Sequence, residues 1–166
     1  MKRFGTGSLL LFTLLATGCL YSLSGGGGLP KNVRTVAVIP FENETASPEL
    51  TNELHQELRK AFADRLGLRD ATEQRANALV HGKITSYEAD VPISFSADPN
   101  RATSARRRLQ IRVDVEIVDQ TTGKVLYQRN GVSAEGEYAE REEAAGRKQA
   151  IQRIVNDIIE GAQSQW

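Results

Sequence analysis

Cations gather around one predicted strand, and their types and spacing fit the binding of an anion. Three consecutive arginines precede the strand, a fourth lies on its polar face, and two further cations belong to the strand expected to return beside it. Guanidinium groups match the geometry of phosphate in a bidentate manner. Antiparallel pairing could gather these cations into one patch at a sheet edge. The candidate anion-binding residues are Arg106, Arg107, Arg108, Arg112, Lys124 and Arg129.

The same cations also have a purely structural explanation. Charge on an edge strand deters association between sheet edges, and the nearby acids Asp98, Asp114 and Glu116 could neutralise much of the patch. The residues alone leave both interpretations open. Nucleic acid is a disfavoured partner, because 21 basic residues balance 21 acidic ones and no aromatic residues are interleaved with the cations.

The single cysteine, Cys19, follows a segment typical of a secretory signal peptide. Lys2 and Arg3 precede a short apolar run, and small residues follow it. The run is too short to span a bilayer, which takes about 20 residues. Leu15-Ala16-Thr17-Gly18-Cys19 resembles the lipobox of bacterial lipoproteins, in which the cysteine sulfur receives a diacylglycerol. Two or more acyl chains give stable membrane anchoring.

These features divide the chain of 166 residues into three parts. Residues 1–18 are predicted to be a signal peptide, and residues 19–28 are predicted to hold the lipidated Cys19 and a flexible glycine-rich spacer. Residues 29–166 have the length and apolar content of one domain. The mature chain would have 148 residues and a formal charge of −2.

Residue patterns for catalysis are nearly missing from the sequence. There is no phosphate-binding glycine loop, nucleophile elbow or zinc-protease motif. His55 and His81 are too few and too far apart to indicate a metal site, and Glu142 and Glu143 fall on a helix face expected to be solvated. The sequence therefore predicts a protein that is not an enzyme and that uses no cofactor beyond the lipid at Cys19.

A strand and a helix open the predicted domain. β-branched residues predict a strand over residues 33–39. Ser47 is the expected N-cap of a helix with Pro48 in its first position, ending near Leu66 before Gly67. The apolar residues of this helix recur every four positions, at Leu50, Leu54, Leu58, Phe62 and Leu66.

Three strands and a helix complete the prediction. Strands are expected over residues 78–88, 109–117 and 124–132, with a long loop over residues 89–104. A final helix is expected over residues 139–162, with its charged first half projecting beyond the core. The order β-α-β-β-β-α predicts a two-layer α+β sandwich. Two helices would pack on one mixed, mostly antiparallel four-stranded sheet.

Four segments together resemble the LptE family of lipopolysaccharide-assembly lipoproteins. They are Cys19-Leu20-Tyr21-Ser22-Leu23-Ser24-Gly25, Leu29-Pro30, Val36-Ala37-Val38-Ile39-Pro40-Phe41-Glu42-Asn43-Glu44-Thr45, and Pro48-Glu49-Leu50-Thr51. The resemblance implies a lipid-anchored protein on the periplasmic face of the outer membrane. Its implied partners are an LptD-type β-barrel, whose lumen it plugs, and lipopolysaccharide, which it delivers to the outer leaflet without catalysis. Lipid A phosphates would suit the arginine cluster.

A second lipoprotein function stays open at this point. The Val-Ile-Pro-Phe-x-Asn-x-Thr run is also similar to runs in lipoproteins that serve curli secretion or activate penicillin-binding proteins. A protein of that kind would activate or scaffold an envelope synthase or secretion pore. The short glycine-rich spacer argues against it, because an activator that reaches across the periplasm usually has a long linker.

Overall fold

Strands and helices follow one another in the order β-β-α-β-β-β-β-α. The structure, a computed structural model, describes residues 29–92, 106–139 and 141–165. A short 3-10 turn, Glu73–Arg75, precedes the longest strand. The elements are β1 (Thr35–Val38), β2 (Glu42–Asn43), α1 (Glu49–Leu66), β3 (Arg69–Asp70), β4 (Ala78–Pro92), β5 (Arg107–Asp119), β6 (Val125–Tyr138) and α2 (Glu143–Ser164).

The strands of the described residues form one mixed sheet in the order β3-β1-β4-β5-β6, and β2 pairs with β4 off this path. β1 is parallel to both β3 and β4, and β2 is parallel to β4. β4, β5 and β6 form an antiparallel meander. The α+β class and the mixed sheet are confirmed, but the predicted number of four strands is wrong, because the described residues alone form six.

The two strands that sequence patterns missed, β2 and β3, have two residues each. A segment of that length has no apolar–polar alternation for a pattern to detect. Both strands border α1, so their positions depend on how the helix crosses between β1 and β4. The path of the crossover, rather than the residues of β2 and β3 themselves, therefore determines that these two strands form.

Both helices pack on one face of the sheet and bury a single core. Leu50, Leu54, Leu58 and Phe62 of α1 are buried, which confirms the predicted apolar stripe. Every second residue of β5 from Leu109 to Ile117 faces the same core. Each such side chain contributes about 1.5–3 kcal/mol through removal of apolar surface from water. The α2 residues that complete the core are Ile151, Ile154, Val155, Ile158, Ile159 and Ala162.

The ends of α1 differ in part from the expected caps. Pro48 rather than Ser47 occupies the N-cap position, and no described side chain caps this end with a hydrogen bond. Ser47 contributes through its carbonyl oxygen, which accepts a bond of 3.3 Å from the Leu50 N–H. Gly67 ends the helix with φ of 64°, which glycine adopts without steric cost. The glycine C-cap is confirmed, and the serine cap is wrong.

The Pro-Phe-x-Asn-x-Thr run has a structural explanation in this fold. Phe41 is buried, and its ring lies over Gly82 of β4, where a Cβ would come within 2.6 Å of Cε2. The Asn43 Oδ1 accepts bonds from the Thr45 N–H and hydroxyl, while its Nδ2 donates to the Ser47 carbonyl at 2.8 Å. The run therefore fixes the turn that carries the chain from β1 into α1.

The junction between β6 and α2 also departs from the prediction. β6 continues to Tyr138 rather than ending near residue 132, and α2 begins at Glu143 rather than residue 139. The first turns of α2 do not project beyond the core, because Gly146 is buried against β6. A Cβ on Gly136 would overlap the Gly146 carbonyl oxygen, so the helix and strand backbones touch here.

Some predicted segments have other bounds in the structure or lie outside the described residues. β4 continues to Pro92, so the first residues of the predicted loop belong to a strand. Residues 93–104 of that loop, Cys19, the signal peptide and the spacer lie outside the described residues.

Candidate functional site

The sheet face opposite the helices is the candidate functional surface. Strand alternation places every second side chain of β4, β5 and β6 on this side, which we call the open face. Among the described residues no helix packs on it, and its side chains are mostly charged or polar. The open-face residues used below are His81, Lys83, Ser86, Arg108, Arg112, Asp114, Glu116, Ser133, Glu135 and Glu137.

Most charges of the open face are paired. His81 Nε2 lies 3.5 Å from a Glu116 oxygen. Lys83 Nζ lies 3.2 Å from Glu42 and 3.5 Å from Glu44, and its hydrogen bond to Glu42 is the main cause that raises the pKa of this amine. These exposed pairs contribute little to stability, since such pairs are worth about 0–1 kcal/mol. Their effect is a surface that is highly polar yet nearly neutral.

Arg112 is the exception on this face. Its side chain is exposed, and no carboxylate of the described residues lies within salt-bridge distance of it. Its register partners are Ser86 on β4 and Ser133 on β6. The nearby Asp114 Oδ1 already accepts a bond of 2.7 Å from the Gly131 N–H. From this register position the guanidinium can bind an anion without first breaking an ion pair to another described residue.

The structure brings together only some of the six predicted cations. Arg106 lies beside Glu137 at 3.6 Å, and Arg108 lies beside Glu135 at 3.3 Å, so both are engaged by acids of β6. Arg107 falls on the helix side of β5 by strand alternation. The three arginines therefore do not form one patch with Arg112 on one face.

The remaining two predicted cations are distant from the arginine end of β5. Arg129 is exposed on β6, with Val115 as its register partner. Lys124 precedes Val125, which pairs with Val118, about 20 Å along β5 from Arg112. The expectation that the arginine cluster lies at a sheet edge is also wrong, because β5 runs between β4 and β6.

A second charged cluster, on the helix side, was not predicted. Arg147 of α2 binds Glu53 of α1 through two bonds of 2.9 Å and approaches Glu49 at 3.3 Å and Glu143 at 3.5 Å. The Arg147 side chain is only 13% exposed. The Tyr87 hydroxyl donates to Glu143. The cluster thus ties α1, α2 and β4 together.

The chemistry of this second cluster is structural rather than catalytic. Burial is the main cause that raises the pKa of Tyr87, and the hydrogen bond to Glu143 adds to it, so the phenol stays protonated. The hydrogen bonds to Glu53 are the main cause that raises the pKa of Arg147, so the guanidinium stays charged. Neither group can exchange a proton near neutral pH, as general acid–base catalysis requires.

The two histidines lie on different elements, His55 on α1 and His81 on the open face of β4. Burial, with help from Arg59, lowers the pKa of His55, whose buried Nδ1 has no hydrogen-bond partner in the described part of the chain. Within residues 29–92, 106–139 and 141–165, no three His, Cys, Asp or Glu side chains come together to hold a metal ion. In the same ranges, neither helix combines the length and the apolar character needed to cross a bilayer.

A mixed sheet covered by helices on one face and polar on the other defines an α+β protein. The family model described as LptE, Lipopolysaccharide-assembly, matches residues 33–160. This match spans most of the chain, so the protein belongs to the LptE family of lipopolysaccharide assembly. The family resemblance drawn from the sequence is thereby confirmed.

Solved structures support the fold alone. A variant of the PelC dodecamer from Paraburkholderia phytofirmans is similar with a TM-score of 0.53 and 14% identity, covering 83% of this chain and 93% of that one. Protein XCC0632 from Xanthomonas campestris has a TM-score of 0.53 and 12% identity, with coverages of 82% and 87%. The hypothetical protein CT253 from Chlamydia trachomatis has a TM-score of 0.52 and 11% identity, with coverages of 79% and 96%. No curated protein matches this chain in sequence.

Proposed function

We propose that this chain is a non-catalytic lipoprotein of the outer membrane that seats in an LptD-type β-barrel and binds lipopolysaccharide for delivery to the outer leaflet. The family match over residues 33–160 carries this proposal. Removal of residues 1–18 and acylation of Cys19 would anchor the domain on the periplasmic face. No cofactor takes part, and the acyl groups at Cys19 are the only modification.

The open face supports the barrel-plug part of the proposal. A barrel lumen is polar, so a surface that packs inside it needs charges that are already satisfied. The pairs between Lys83 and Glu42, His81 and Glu116, and Arg108 and Glu135 meet that need. A surface of this kind can lie against a wet polar wall without exposing a large apolar patch.

An affinity purification from membranes tests the partner. The full chain, tagged at its C-terminus and expressed at native level, should co-purify with an outer-membrane β-barrel identified by mass spectrometry. Recovery of an envelope synthase or secretion pore in its place would overturn the proposal and favour the second function considered from the sequence. The Cys19→Ala variant is the control for the anchor, and it should leave the membrane fraction and lose its acyl label.

Arg112 supports the lipid-binding part of the proposal. Replacing Arg112 by Ala removes the exposed guanidinium of a residue whose register partners are Ser86 and Ser133. We expect lipopolysaccharide binding to weaken about tenfold or more, because a hydrogen bond to a charged group is worth about 1.5–3 kcal/mol. Fluorescence titration at two salt concentrations measures the effect, and dephosphorylated lipopolysaccharide should bind both proteins equally weakly.

Matched variants distinguish binding at Arg112 from a general effect of removing one positive charge. Lys60→Ala removes one exposed cation from α1, on the helix side, and should leave binding unchanged. Arg106→Ala should have a smaller effect than Arg112→Ala, because Arg106 already pairs with Glu137. If Arg112→Ala keeps the affinity and the salt dependence of the unaltered protein, Arg112 does not bind the phosphates.

A further inference from the structure

β6 is the terminal strand of the sheet formed by the described residues, and one of its sides has no strand partner there. A free strand edge presents backbone N–H and C=O groups that can pair with another chain. Residues 132–138 pair with β5 without a register shift. Every second residue of this stretch turns its backbone groups away from β5, and the bonds that α2 side chains make to Glu135 and Glu137 assign these two residues and Ser133 to the outward set.

Two side chains of α2 occupy these outward groups. The Glu137 N–H donates to Gln149 Oε1 at 3.0 Å. Arg153 Nη1 donates to the Glu135 carbonyl oxygen at 2.8 Å. Gln149 and Arg153 are four residues apart, so they lie on the same side of α2 and reach the same stretch of strand. Both bonds use groups that an added strand would need.

A bulge interrupts the middle of the same strand edge. The register between β5 and β6 shifts between Val113 and Val115, opposite Gly131. Gly131 has φ of 69°, and its N–H donates to Asp114 Oδ1 at 2.7 Å. Because a bulge breaks a regular ladder, an added strand could pair only with one half of β6 at a time. The half from Ser133 to Tyr138 is the one that Gln149 and Arg153 cover.

We propose that Gln149 and Arg153 cap the β6 edge against pairing with a second copy of this chain. Antiparallel pairing about a two-fold axis at Glu135 would set Ser133 of one copy opposite Glu137 of the other, a self-complementary register. Arg108 and Arg106 already neutralise Glu135 and Glu137, so repulsion between acids does not protect this edge. The bonds from Gln149 and Arg153 protect the edge instead.

Removal of both caps tests the proposal. The full chain carrying Gln149→Ala and Arg153→Ala, purified in detergent, should form dimers with a dissociation constant at least tenfold lower than that of the unaltered chain. Analytical ultracentrifugation measures the association. Lys148→Ala with Gln152→Ala is the matched control, because it removes the same chemistry from the groove between the helices and should leave the chain monomeric.

Two further variants separate edge pairing from misfolding. Adding Ser133→Pro to the double variant removes an outward N–H without breaking a bond to β5, so it should return the protein to monomers. Association of misfolded chains would survive this change and would overturn the proposal. The conservative Gln149→Glu variant keeps an acceptor for the Glu137 N–H and should remain monomeric. A double variant that exchanges the Glu137 amide hydrogen faster but stays monomeric would also overturn it.

Discussion

At the scale of single residues, the guanidinium group of Arg147 joins three parts of the chain. It bonds Glu53 on α1 and Glu143 on α2, and Glu143 accepts the hydroxyl of Tyr87 on β4. In the sequence, Glu143 falls on a helix face expected to be solvated, and Arg147 falls in the charged first half of the same predicted helix. Only the packing of α2 against α1 turns that face inward, so the cluster could not be predicted from local pattern.

Replacing Arg147 by Met keeps most of the side-chain volume and removes the charge. We expect a loss of about 2–4 kcal/mol in the free energy of unfolding, because Glu49, Glu53 and Glu143 would be left close together without their cation. Urea unfolding at neutral pH measures the loss. Arg59→Met, which breaks the exposed pair with Asp70, is the control and should cost less than about 1 kcal/mol. Equal losses for the two variants would contradict this account.

At the scale of elements, periodicity predicts the long elements and fails where glycine interrupts them. The four-residue spacing of α1 and the alternation of β5 are both confirmed. The strand predicted over residues 124–132 stops short of Tyr138, because residues 135–137 are polar and Gly136 interrupts them. In the fold Gly131 forms a bulge, and Gly136 lets α2 approach the strand. Both glycines act through contacts with other elements of the fold, so the sequence pattern could not show their roles.

Gly136→Ala tests the close approach of β6 and α2. A Cβ at this position would overlap the Gly146 carbonyl oxygen, and a backbone atom cannot move aside as a flexible side chain can. We expect a loss of about 2–3 kcal/mol in the free energy of unfolding, as for an overpacked core. Thermal and urea unfolding measure it. Ser133→Ala on the exposed side of the same strand should change stability by less than about 0.5 kcal/mol.

At the scale of the whole molecule, the described helices cover one face of the sheet and leave the other open. This arrangement determines what each cation can do. The α+β class follows from the order of the long elements, yet the strand order does not. That order places β5 inside the sheet, whereas strand alternation separates Arg107 from Arg112 by face and distance along β5 separates Lys124 from both. The sequence identifies the arginines as the residues of interest, while the fold singles out Arg112. The two serines beside Arg112 carry no signal in the sequence, because their role depends on register alone.

The parallel pairing of β1 with β4 has a consequence for the order in which the chain can fold. Val36 pairs with Ala78, which lies 42 positions further along the chain, and α1 lies between them. The hairpin of β5 and β6, by contrast, closes through a short local turn. Contacts distant in sequence form late because the intervening loop must first lose its conformational entropy. Among the described residues, β1 therefore has no strand partner until Arg69 and the residues after it have been made.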